Sequence, residues 1–311
     1  MNKEKNFISA VVYVNNNQDT IKYFLIQLNS TLKETFEKYE IICVNDASDD
    51  GSVSKIQEFS NDIDECVVSI INMSYYQGLE TSMNAGVDLA IGDFVFEFDD
   101  DYIDYDLSTI TDIYFRSLEG YDIVAAANTK RKFFSNLFYK LYNRSANTQY
   151  KLNSETFRIL SRRAINRIHS MSKTIPYRKA IYSNCGLQID TTIYAPTKAK
   201  INKSQTKNNS KHRQDTAFNT LILFTNVAYK ISMFMTVLML LATFSSAIYT
   251  VVIFLLGKPV AGYTTTMLVI TLSFFGVFAI LAMIIKYLSI IIDLIFKEQK
   301  YVVESIEKIT K

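Results

Sequence analysis

Gly92-Asp93-Phe94-Val95-Phe96-Glu97-Phe98-Asp99-Asp100-Asp101-Tyr102-Ile103-Asp104 begins as an aromatic and β-branched run and stops on three adjacent carboxylates. Phe94 to Phe98 reads as a buried strand. Three neighbouring acids repel one another, so a fold keeps them together only where something offsets the charge. Oxygen-only ligands suit Mg²⁺ or Mn²⁺, which in turn hold substrate phosphates. The carboxyl end of a strand in an α/β sheet is also where ligands sit. A plainer reading is a solvated acidic turn in which Asp99 or Asp104 caps the following helix, and this stretch alone does not separate the two. An EF-hand loop is excluded, because the run lacks its Gly and its closing Glu and follows a strand.

Upstream, Phe7 to Val14 reads as a first strand, and a helix is expected from about Asp19 to Lys38. The run at 7–14 is too short for a signal-peptide core and ends in Asn15-Asn16-Asn17-Gln18-Asp19 without a small-residue cleavage site. Tyr39 to Val44 is a second strand, followed by the polar turn Asn45-Asp46-Ala47-Ser48-Asp49-Asp50-Gly51-Ser52 and a helix start. Val67 to Ile71 is a third strand, and Gln77 to Ala90 a helix with Gly78 near its start and Gly86 inside. Strands alternating with helices predict a mostly parallel, doubly wound α/β sheet.

The 311 residues are enough for one such domain and something more, and a net charge of +2 gives no sign of a nucleic-acid partner. Cys43, Cys66 and Cys185 lie far apart with no CxxC, against a disulfide framework or a zinc site and for a reducing compartment. With His169 and His212 as the sole histidines, a His-based metal site or a Ser-His-Asp triad is not expected.

Downstream the composition changes. In residues 130–144, Phe134, Leu137, Phe138 and Leu141 share one helical face, with Arg131, Lys132 and other basic residues beside it. That pattern fits a helix lying in a membrane interface, or an amphipathic helix packed on the sheet. Ile231 to Leu256 and Pro259 to Ile285 carry no charge, and each run exceeds the roughly 20 residues needed to cross a bilayer. Two membrane spans are expected, at about 231–256 and 262–286, with a short hairpin between them. Lys198, Lys200, Lys203, Lys207, Lys211, Arg213 and Lys230 precede the spans, Lys286, Lys297 and Lys300 follow, and only Lys258 lies between. The positive-inside rule then puts both ends in the cytoplasm and the hairpin tip outside. The expected division is a cytoplasmic domain at 1–215 and a membrane anchor with a cytoplasmic tail at 216–311, in a bacterial inner membrane or its equivalent.

Several of these stretches, in order, resemble one family. Ser9-Ala10-Val11-Val12-Tyr13-Val14-Asn15-Asn16-Asn17 is similar to the opening strand and loop of family 2 glycosyltransferases with the GT-A (Rossmann-like) fold. Val44 to Ser52 resembles their VDDGSxDGT segment, and Gly92 to Asp104 their GDxxxxxDADLQDP segment, with Asp99-Asp100-Asp101 at the DxD. Phe157-Arg158-Ile159-Leu160-Ser161-Arg162-Arg163 looks like the FRLxSRR stretch of the polyprenyl-phosphate branch, which includes dolichyl-phosphate mannose synthases and bactoprenol glucosyltransferases. Gly257 to Thr264 and the tail around Lys286-Tyr287-Leu288 and Lys300-Tyr301-Val302-Val303 echo that branch too.

The resemblance implies inverting transfer of a sugar from a UDP- or GDP-linked nucleotide sugar to polyprenyl (undecaprenyl or dolichyl) phosphate at the bilayer. It implies that Asp46 holds the nucleotide base, that Asn16, Asn17, Asp99 and Asp100 lie beside the nucleotide, and that Asp99 and Asp101 carry Mn²⁺ or Mg²⁺. Arg158 joins Asp99 and Asp101 as a catalytic candidate, and Arg131, Lys132, Arg158, Arg162 and Arg163 are candidates for gripping the lipid phosphate or the leaving diphosphate. Paired anchors and exposed basic helices would permit a ring or a dimer of this chain. Several positions depart from the pattern: Asn17 and Asn45 stand where acids are usual, Ala47 replaces Gly, Ile103-Asp104-Tyr105 replaces Gln-Asp-Pro, and Thr156 follows Glu155 where a carboxylate usually precedes the Phe-Arg pair. Transfer to another glycan or lipid, and a degenerate nucleotide-sugar-binding membrane protein, are the alternatives.

Overall fold

The structure, a computed structural model, describes residues 3–64, 66–129, 143, 155–171, 177–197, 301 and 303–309, with scattered helical positions between 234 and 291. The chain divides into two units, Met1–Ala217 with Gln299–Lys311, and Phe218–Glu298.

In the first unit the chain runs β1 (Ile8–Val14), α1 (Ile21–Thr35), β2 (Tyr39–Asn45), α2 (Ser52–Asn61), β3 (Val67–Met73), α3 (Leu79–Leu89) and β4 (Phe94–Phe98). It continues with α4 (Ser108–Leu118), β5 (Ile123–Asn128), β6 (Glu155–Ser161), α5 (Arg162–Met171), α6 (Arg178–Asn184), β7 (Ile189–Tyr194) and β8 (Val303–Lys308). These strands form one 8-stranded sheet in the order β7-β5-β6-β4-β1-β2-β3-β8. Neighbours β3, β2, β1 and β4 are parallel, whereas β6 runs against β4 and β5, and β8 runs against β3. The sheet is thus mostly parallel, as the alternation predicts, with two antiparallel insertions.

Local sequence explains the packing. α1 buries Ile21, Phe24, Leu25, Leu28 and Leu32, a stripe at helical spacing. That stripe packs with Ile56 and Phe59 of α2 and Ile110, Ile113 and Tyr114 of α4 onto one sheet face, made by Ala10, Val12, Ile41, Cys43, Phe96 and Phe98. On the other face α3 lies directly on β1 and β2. A Cβ at Gly86 would stand 2.3 Å from a Val11 methyl and 2.7 Å from a Val44 methyl, so only glycine fits there. Strand residues alternate between faces, so Phe96 and Phe98 enter the first core while Val95, Glu97 and Asp99 turn to the second.

The tail differs from its expected place in the anchor segment. β8 pairs with β3 from Ser69↔Lys308 to Asn72↔Ser305, inside the first unit. The expected interfacial helix at 130–144 and most of the two expected spans lie outside the described residues. Among the described residues no helix is long and apolar enough to cross a membrane.

Candidate active site

Strand order reverses between β1 and β4, and at such a switch point the loops leaving the carboxyl ends part to form a crevice. Here the loops after β1, β2 and β4 meet. Asn17 Nδ2 donates to Asp101 Oδ1 at 2.6 Å, and the Thr20 hydroxyl donates to Asp101 Oδ2. Asn17 is itself fixed, since its Oδ1 accepts the Asn15 N–H at 2.8 Å and its own N–H donates to Ser52 Oγ at 2.8 Å. Burial is the largest influence on Asp101 and, with Asp100 adjacent, raises its carboxyl above the ordinary 3.8, against the lowering effect of the Thr20 and Asn17 donors. Asp100 is half-buried, and its Oδ1 accepts the Tyr102 N–H at 3.3 Å.

Asp99 has different surroundings. Its Oδ2 accepts from an Arg158 terminal nitrogen and its Oδ1 from one of Arg178, both at 2.7 Å, while Lys179 Nζ stands 3.8 Å away. Burial alone would raise the Asp99 carboxyl, but these three cations outweigh it and hold it well below the usual carboxylate range. The two arginines are wholly buried and share further acids. Arg158 also reaches Glu97 at 2.8 Å and Glu155 at 3.3 Å, and Arg178 reaches Glu97 and Glu80, each at 3.0 Å. Glu97 accepts the Tyr182 hydroxyl at 2.8 Å as well. The Glu97–Arg158 contact follows from register, since the two are cross-strand partners of β4 and β6.

The geometry bears on three of the expected site roles. Arg158 is not a solvent-facing phosphate ligand, because it is 0 % exposed and occupied by Glu97, Asp99 and Glu155. Asp99, expected to carry a metal with Asp101, has a guanidinium on each of its oxygens. Arg162 and Arg163 lie at the opposite end of β4 from Asp101, because antiparallel β6 brings Ser161 beside Phe94, the start of β4. There Arg162 donates to the Gly92 and Ala90 carbonyls and Arg163 pairs with Asp122.

Asp46 also works differently from expectation. It is 0 % exposed, its Oδ1 accepts Gln77 N–H at 2.7 Å, and its Oδ2 accepts Gly78 N–H at 2.8 Å and the Tyr13 hydroxyl at 2.9 Å. Burial and this carboxylate push the Tyr13 hydroxyl far above its usual range, so Tyr13 stays a donor. Asp46 therefore clamps the ends of β1 and β2 to the loop before α3. Asn16, at φ 57°, accepts the Asp49 N–H on its Oδ1 at 2.9 Å and donates its own N–H to Ser48 Oγ at 3.1 Å. Ala47 takes φ 50°, a left-handed conformation that accounts for the glycine in the motif it resembles. Asp104 caps no helix; it accepts from Asn128 at 2.7 Å and from the Tyr194 hydroxyl at 2.9 Å, while Asp106 turns the chain into α4.

Thr20, Arg178, Lys179 and Tyr182 belong to this site and carry no local sequence signal. Arg131 and Lys132 lie outside the described residues, but β5 ends at Asn128, whose side chain bonds Asp104, at the same rim as Asp101. Among the described residues no three carboxylates, histidines or cysteines form a cage for a metal. Mg²⁺-type sites seldom need one, since one or two carboxylates and the substrate's phosphates complete the shell. Asp101 and Asp100 meet that requirement.

A model described as glycosyl transferase family 2 matches residues 9–186. An uncharacterized glycosyltransferase of Synechocystis is 26% identical over 271 residues, covering 85% of this chain and 84% of its own length. A prophage bactoprenol glucosyl transferase homolog of Escherichia coli is 28% identical over 194 residues, with 60% of this chain and 62% of that protein covered. Among solved structures, the mannosyltransferase PcManGT of Pyrobaculum calidifontis, in complex with GDP-Man and Mn²⁺, superposes with a TM-score of 0.52 at 14% identity over 70% of this chain and 63% of its own. Glucosyl-3-phosphoglycerate synthase of Mycobacterium tuberculosis gives 0.50 at 15% identity, covering 71% and 81%. These two show a shared fold.

Proposed function

The chain belongs to glycosyl transferase family 2, and from that premise we propose that it moves a sugar from a nucleotide sugar to polyprenyl phosphate at the cytoplasmic face of a membrane. The observation that carries the reading is Asp101, a carboxylate held by Asn17 and Thr20 at the switch point of the sheet. Asp101 with Asp100 would hold Mn²⁺ or Mg²⁺, and such an ion supplies positive charge to a leaving nucleoside diphosphate. Asn17 and Thr20 keep the Asp101 oxygens in one orientation, while Asn16 and the loop 45–52 border the nucleotide. Arg158 and Arg178 balance Asp99, so the centre carries fewer uncompensated negative charges when a diphosphate arrives.

The acceptor rests on the relatives named bactoprenol glucosyl transferase and on the chemistry. A phosphate monoester has a second pKa of about 6 and is largely ionised near neutral pH, so no strong general base is required. Arg131 and Lys132 are the cations assigned to the lipid phosphate. The membrane reading is supported by the uncharged runs and by Ile270, Phe274, Val277, Leu281, Ile284 and Leu288, which are exposed apolar helical residues repeating every three or four positions. The basic residues flanking 218–298 favour the cytoplasmic side.

The test is transfer of radiolabelled sugar from a panel of UDP- and GDP-sugars to undecaprenyl or dolichyl phosphate, in membranes with Mn²⁺ or Mg²⁺, for the unaltered chain and Asp101→Ala. Labelled lipid from one donor, reduced at least about 100-fold in the variant, is expected. Metal-dependent donor turnover without labelled lipid would point to another acceptor, and no turnover with intact nucleotide binding would leave a non-catalytic binder.

A further inference from the structure

The last strand of the sheet reaches the candidate donor site through side chains. Asn45, Asn72 and Ser305 are successive cross-strand partners on β2, β3 and β8. Asn72 Nδ2 donates to Ser305 Oγ at 3.0 Å, with Glu307 Oε1 at 3.3 Å, and Asn72 Oδ1 accepts Asn45 Nδ2 at 2.9 Å. Asn45 Oδ1 accepts the Ser48 N–H at 3.1 Å, and Ser48 Oγ accepts the Asn16 N–H at 3.1 Å. Every donor in this series points the same way, from the loop beside Asp101 outward to β8, so the bonds polarise one another. The amides suit both middle positions, because each accepts and donates at once. An aspartate at 45 could not donate to Asn72 Oδ1 as Asn45 does.

The strand is seated at further points. Tyr301 donates to Asp88 at 3.1 Å, the same carboxylate that meets His169 at 2.7 Å, and the Ile309 N–H donates to the Val68 carbonyl at 2.9 Å. Ser60 Oγ donates to the Ile309 carbonyl.

We propose that β8 is a working part of the donor site: its seating, passed through Asn72 and Asn45, sets the loop 45–52 and thereby nucleotide affinity. The proposal rests on the nucleotide-sugar reading above. Asn45 and Asn72 act as positioning residues, and donor binding becomes dependent on a strand that follows residues 218–298 in the chain.

The test uses the full chain in detergent. Asn72→Ala breaks the series in the middle, and Ser305→Ala with Glu307→Ala breaks it at β8 while keeping the backbone ladder. Ser305→Thr with Glu307→Ala restores an acceptor hydroxyl. UDP and GDP, each with Mn²⁺, are titrated calorimetrically, and amide hydrogen exchange is followed at residues 46–50. Both broken forms should bind the recognised nucleotide at least about fivefold more weakly and exchange faster at 46–50, and the threonine form should recover both. Unchanged exchange at 46–50 in the broken forms, or equal loss in the threonine form, overturns the proposal. If neither nucleotide binds the unaltered chain, the transferase reading fails, and exchange at 46–50 still decides the coupling.

Discussion

Each oxygen of Asp99 accepts from a different guanidinium, and both arginines are sealed from solvent. Removing one cation leaves Glu97 and Asp99 under-compensated in a medium that solvates charge poorly, which typically costs about 3–5 kcal/mol. Arg178→Met should therefore lower unfolding stability by that amount, read as a shift in the denaturant midpoint with little change in slope. A neutral result would mean that packing, and not charge, holds α6 against β4. The cluster was not legible in the sequence. Arg178 meets Glu80 across 98 positions and Asp99 across 79, and nothing local marks Arg178 as an inward residue. Arg158 was visible as a motif residue, but its role depends on a register, Glu97↔Arg158, that one sequence cannot supply. Asp101 is marked in the sequence by its place among three acids at the carboxyl end of a strand, whereas its holders Asn17 and Thr20 lie 84 and 81 positions away.

At the level of elements, the first hundred residues read well because each strand is a short apolar run and each helix repeats its apolar side chains at helical spacing. β5, β6, β7 and β8 have no counterpart among the strands expected from the sequence. β8 has the polar sequence Val303-Glu304-Ser305-Ile306-Glu307-Lys308, and what makes it a strand is the exposed edge of β3, more than two hundred residues earlier. The turn from β6 into α5 is fixed by Arg163 pairing with Asp122, just before β5. Burial would raise the Asp122 carboxyl, but the Arg163 and Ser161 donors outweigh it and hold it below the ordinary 3.8. A depressed folded-state pKa means that this stabilisation is complete above 3.8 and fades as pH falls through the lower folded value. Asp122→Asn should lower the melting temperature by about 2–4 °C at pH 7, and the gap from the unaltered chain should close below pH 3.8. A gap that persists or widens on acidification would assign the pairing no electrostatic part.

For the molecule as a whole, β8 has a consequence independent of charge rules. A strand cannot be hydrogen-bonded into a sheet from the far side of a membrane, so residues 303–308 share a compartment with residues 8–194. Any crossings of a bilayer by residues 218–298 would then have to be even in number. One crossing or three are forbidden by parity. Cys43, Cys66 and Cys185 are buried, so single cysteines placed at exposed Glu304 and at exposed Lys38 can be labelled against a quiet background. In sealed vesicles of one orientation, an impermeant thiol reagent should modify both sites or neither, and labelling of one alone would show that β8 is not seated in this sheet in the membrane. A substitution that unseats β8 removes that constraint, and the same chain could then be inserted with its tail on the wrong side.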